Sequence, residues 1–175
     1  MLKQNKEYKR FVWELSNMME NKSKNKNVVF MCIGTNTVVG DSVGPIVGSL
    51  LKENIQSNNK IKIVGDCENN ISYENIEDKI KKLKLNSLVV VVDSALSNPE
   101  NIGKIFVQNR GLRYGEGLKK PNTTIGNISI KAVVGEDFDN KLKNFKSLKK
   151  ATASDVMLLA NTISTGIIHV LNSCV

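Results

Sequence analysis

Residues 34–45 read GTNTVVGDSVGP and set one carboxylate, Asp41, among Gly34, Gly40 and Gly44, directly after the apolar run VVFMCI. Two other apolar runs lead into acids in the same manner: IKIVGDCEN brings Asp66 and Glu68, and VVVVDSALS brings Asp93. If the three runs are parallel strands, the residues past their carboxyl ends line one edge, where open α/β sheets bind ligands. Four acids then share that edge. Asp93 closes an aliphatic strand and so lies near the low-dielectric interior; with Asp41 close by, the two carboxyls cannot ionise independently. One then acts as acid and the other as base at neutral pH. Such a pair can activate water and protonate a leaving amide nitrogen, as peptide hydrolysis without a covalent nucleophile requires. The same carboxylates, with Glu68 as a third ligand, also suit a divalent cation.

Each acid has a plainer explanation as well. Asp41 precedes apolar residues at helical spacing (Val43, Ile46, Val47, Leu50, Leu51, Ile55) and can serve as an N-cap. A strand-end Asp such as Asp93 can bond a loop amide. Asp66 and Glu68 read as solvated loop acids. The single histidine, His169, falls late in the last helical pattern and reads as structural or exposed, which argues against a histidine-rich metal site. Ser42, Ser94 and Ser97 have no evident histidine base. Cys32 and Cys67 read as packing residues. The glycine loop lacks the Gly-Lys-Ser/Thr ending of a phosphate-binding loop and is not G-x-G-x-x-G. No cofactor and no resident metal are expected.

The elements that must position these acids alternate: strand 28–33, helix 43–55, strand 61–65, helix 74–84 and strand 87–92. Continuous apolar strands between amphipathic helices predict a parallel sheet covered on both faces. Residues 104–109 and 127–134 are predicted as further strands with no helix between them, so the sheet is mixed. The 110–126 segment joining them is a long glycine-containing loop of the kind that is often functional. A final helix spans 152–172. Residues 1–27 form a separate unit, an amphipathic helix over 6–20 (Tyr8, Phe11, Val12, Leu15, Met18, Met19 on one face) and a polar linker, before a single domain over 28–175.

The 175-residue length, with 41% apolar and 24% charged residues, fits one soluble globular domain. Three cysteines without a C-x-x-C pair argue against a disulfide framework or a cysteine zinc site and fit a reducing, cytoplasmic compartment. The absence of an apolar run of about 18 residues argues against membrane insertion. The net charge of +8 is concentrated at the two ends, including Lys141, Lys143, Lys146, Lys149 and Lys150. That cluster can attract an acidic partner, but it reads first as a solvated loop or helix face; without interleaved aromatics, nucleic acid is disfavoured.

Three stretches in order, IGTNTVVGDSVGPIVG, VVVVDSALS and YGEGLKKPNTTIGNISI, resemble the YyaC-type sporulation proteins, relatives of the spore germination protease and, more distantly, of the hydrogenase maturation endopeptidases. The resemblance covers most of residues 28–170. It implies a phosphorylase/hydrolase-like three-layer α/β/α fold with a mixed, mostly parallel central sheet. It also implies that Asp41 and Asp93 match a catalytic aspartate pair, as in the germination protease. In the hydrogenase maturation relatives the matching acids, with a histidine, contact nickel; this chain has no obvious equivalent of that histidine. Asn36, Glu68, Gly115, Gly117 and Lys120 are the expected substrate-side residues. The chain departs from its closer relatives at Ser72, where they carry histidine, at Tyr114-Gly115 in place of Pro-Gly, and at LKKAT before the last helix. The expected function is a peptidase-like sporulation protein, in the cytoplasm of the mother cell or developing spore, acting on a peptide or protein segment that the basic surface suits to be acidic. The alternative is a binding or scaffolding module that keeps the fold without catalysis.

Overall fold

The computed structural model describes residues 6–24, 26–56, 60–84, 86–114 and 123–174. The strands β1 (Val28–Cys32), β2 (Ile61–Val64), β3 (Leu88–Ser97), β4 (Ile105–Gln108) and β7 (Ile128–Glu136) form one sheet in the order β2-β1-β3-β7-β4. All neighbours are parallel except β4, which runs antiparallel to β7. This is the mixed, mostly parallel sheet expected. Every residue of β1 and the first five of β3 are buried, as strands covered on both faces must be.

Side chains alternate between the faces. Phe30, Cys32, Val90, Val92 and Ile130 point toward α1 (Lys6–Lys22), α2 (Val43–Asn54) and α5 (Ala153–Cys174). Val29, Met31, Val89 and Val91 point the other way, toward Ile76 of the short α3 (Ile76–Lys81) and toward Leu112 and Ile125. The last two belong to β5 (Leu112–Tyr114) and β6 (Thr123–Ile125), a two-stranded antiparallel ribbon inside what the sequence predicted as a plain loop.

Phe11, Leu15 and Met19 of α1 lie in the same core as β1 and α5, and Phe11 presses against Gly166 of α5. The lysine run is a helix, α4 (Lys141–Lys150), capped by Asn140, whose side chain accepts the Lys143 amide at 3.1 Å. A second cap starts α5: the Thr152 hydroxyl accepts the Asp155 amide (3.1 Å) and donates to its carboxylate (2.6 Å). By length and composition α5 resembles a membrane span, with a mean hydropathy of 1.3 over Ala153–Ser173, but half of that window is buried inside the fold.

Candidate active site

From β1 the chain passes to β2 on one side and then to β3 on the other. The crevice at the carboxyl ends of β1 and β3 is therefore the switch point of the sheet. Ile33 still donates its amide to the Val92 carbonyl (2.8 Å), and then Gly34 turns the chain at φ 136°. A Cβ at Gly34 would lie 2.0 Å from the Asp41 carbonyl oxygen, and one at Gly44 would lie 1.9 Å from that of Ile33. The loop is thus closed by main chain touching main chain, which only glycine allows at these two points.

Across this ring Asp41 Oδ2 accepts the Thr35 amide (2.8 Å) and the Thr35 hydroxyl (2.9 Å), and the Ser94 hydroxyl also favours its charged form. Asp41 is not a helix cap, which corrects that expectation. The N-cap of α2 is Ser42, whose hydroxyl donates instead to the Val39 carbonyl at 2.7 Å.

Asp93 is likewise not at a strand end. β3 runs on to Ser97 because β7 accompanies it, from Asp93 opposite Lys131 to Ser97 opposite Glu136. β1 gives out one residue earlier, at the Cys32–Val92 pair, so Asp93 keeps its neighbour on the β7 side and loses the one on the β1 side. In-register pairing puts Lys131 beside Asp93 on one face of the sheet.

Burial pushes the Asp93 carboxyl up to about 7, and the Asp41 charge pushes the same way, against the Ser94 amide and the Lys131 charge. Asp41 is also raised by burial, held back by its Thr35 and Ser94 donors. The Asp41 charge thus adds to burial at Asp93, and Asp93 is the member of the two that keeps a proton toward neutral pH. Chemically, that is an acid beside a base.

The remaining expected residues are placed differently. Asp66 is 5% exposed and paired with Lys52 of α2, which corrects its reading as a solvated acid. Its other oxygen accepts the amides of Asn69 (2.6 Å) and Glu68 (2.8 Å). Burial acts to raise Asp66, but Lys52 and the two amides outweigh it and its carboxyl lies below the usual range. Glu68 is exposed on this turn. Asn36 donates to the Cys67 carbonyl (2.6 Å), tying the loop after β1 to the loop after β2. Gly115, Gly117 and Lys120 lie outside the described residues. Thr35, Ser94, Lys131 and Lys52 were not foreseen; the first two stand beside a glycine and an aspartate already singled out, while the last two are found only through pairing across elements.

Among the described residues the donor set does not suit a metal. No three of His, Cys, Asp and Glu converge among the described residues, and His169 stands on α5 with Nδ1 3.4 Å from the Tyr8 hydroxyl.

The fold is similar to that of the NiFe hydrogenase maturation protease HycI from Thermococcus kodakarensis KOD1, with a TM-score of 0.59 and 18% identity over 90% of this chain and 98% of that one. It is also similar to the maturation protease HybD from Thermococcus kodakarensis, with a TM-score of 0.51 and 14% identity over 83% and 98%. At these identities the likeness is one of fold. In sequence, the uncharacterized protein YyaC of Bacillus subtilis (strain 168) is 28% identical over 149 residues, covering 83% of this chain and 70% of that protein. The family described as "Protein of unknown function (DUF1256)" matches residues 1–166, and the chain belongs to it.

Proposed function

We propose that this protein is a peptidase-like hydrolase in which Asp41 and Asp93 divide acid and base work on a peptide bond. The observation that carries the reading is the placement of Asp41 and Asp93 at the sheet's switch point, where burial and the Asp41 charge together raise Asp93 to about 7. Asp41, steadied by Thr35 and Ser94, takes a proton from the attacking water; Asp93 delivers one to the leaving nitrogen. The naming of both archaeal structures of this fold as maturation proteases supports a polypeptide substrate. The lysines of α4 favour an acidic one. The resemblance to YyaC-type proteins and the germination protease supports a role in sporulation, in the cytoplasm of the mother cell or spore. Residues 1–27 are proposed to be a unit of their own in sequence that docks on the 28–175 domain.

A specific observation favours a second reading, a binding module without catalysis: Asp41 Oδ2 is already engaged by two Thr35 donors. Proteolysis of an extract of spore proteins, followed by mass spectrometry, separates the two. The hydrolase reading expects new peptide termini with the native protein and at least a hundredfold slower appearance with Asp41→Asn or Asp93→Asn. Equal rates in all three, or no cleavage by any, leave the module.

A further inference from the structure

Away from the aspartates, two cavities of about 340 and 400 Å³ run into one another along the seam of β7, α4 and α5, sharing Ile102, Val134, Ala151 and Asp155 in their walls. Each falls within the span of ligand pockets, about 300–1,000 Å³. The first of the two cavities is mainly apolar. The floor of the groove is Val133, Val156 and Leu159, all buried, and its rim exposes Leu158 (56%), Ile102 (49%) and Phe138 (43%). One end is basic: Lys143, Lys146 and Lys150 line it, on a helix with five lysines and no acid. Exposed apolar surface rimmed by charge marks an interaction site. The helix α4 that walls one end of the groove also packs on the aspartate loop, where a Cβ added at Gly40 would meet the Leu148 carbonyl oxygen at 2.5 Å.

We infer that this groove docks a segment of a partner protein in which a run of Asp or Glu adjoins bulky apolar side chains, the acids meeting the α4 lysines and the apolar groups filling the two cavities. Charge complementarity decides the class of ligand. Nucleic acid fits less well: the rings of Phe138 and Phe145 lie under the ammonium groups of Lys143 (5.8 Å) and Lys149 (4.6 Å) instead of offering stacking faces. A lipid surface takes up projecting apolar groups, whereas this lining is recessed between elements. Docking here sets a polypeptide against the helix that packs on the Asp41 loop, but it does not require Asp41 and Asp93 to be catalytic.

The probe is a fluorescein-labelled synthetic peptide with three glutamates followed by two leucines and a phenylalanine, read by anisotropy on the full chain. The native protein binds it, and Asp93→Asn binds it equally, so docking and hydrolysis are judged separately. Lys146→Glu and Leu158→Glu each weaken binding at least tenfold, while Lys62→Glu on β2 does not; circular dichroism checks that every variant is folded. A peptide with lysines in place of the glutamates fails to bind. The inference is overturned if the acidic peptide does not bind or if the lysine peptide binds as well. It is equally overturned if a DNA duplex or phosphatidylglycerol vesicles bind in a Lys146-dependent way where the peptide does not, or if sedimentation shows a dimer that Leu158→Glu dissolves.

Discussion

At Asp93 a charged group has been set where ionisation is unfavourable, and this has a consequence for folding. An unfolded Asp titrates near 3.9, and the folded carboxyl near 7. Between those values the folded chain holds a proton that the unfolded chain has released, so stability falls as pH rises from about 4 to about 7 and changes no further above that. Asp93→Asn removes this loss. Chemical denaturation across pH should show the variant more stable than native by up to about 4 kcal/mol at pH 8, with the gain shrinking to nothing near pH 4. A constant difference, or one that grows toward acid, would count against the buried-acid account. Asp41 and Asp93 were legible in the sequence because each follows an aliphatic run, one through a glycine turn and one directly. Asp66 was misread for a physical reason: its loop looks polar, and its partner Lys52 comes from another element, so nothing local reveals that the carboxylate is buried and paired.

Elements place these residues mainly by where they stop. β1 ends early, β3 continues, and the loop between β1 and α2 is closed by contacts at Gly34 and Gly44. Gly34→Ala inserts a Cβ against the Asp41 carbonyl in a backbone region that L side chains avoid. The expected cost is about 2–4 kcal/mol, a Tm lower by roughly 5–15 °C in calorimetry. An unchanged Tm would show that the ring is not held by this contact. The parallel strands and the helices between them were readable from continuous apolar runs and helical periodicity. The far end of β3 was not, because its last residues, DSALS, carry no strand pattern of their own and are extended by pairing with β7. The same holds for the β5–β6 ribbon, whose three-residue strands are too short to show a period.

In the whole molecule one face of the sheet is shared by α1, α2 and α5, so the first helix and the last belong to one core with β1 and β3. Cys32 sits inside that core, fully buried at the end of β1, while Cys67 is exposed on the loop after β2. Burial pushes the Cys32 thiol up to about 12, so it is both shielded and protonated. The molecule therefore contains its own clock. In a Cys174→Ser background, a thiol-reactive chromophore should label Cys67 within the mixing time of an ordinary assay. It should reach Cys32 only at the rate at which β1 parts from α2, a rate set by unfolding and independent of reagent concentration once the reagent is in excess. Two cysteines reacting together would mean that the candidate site opens far more readily than the rest of the sheet. A late Cys32 makes the crevice beside Asp93 as durable as the protein itself.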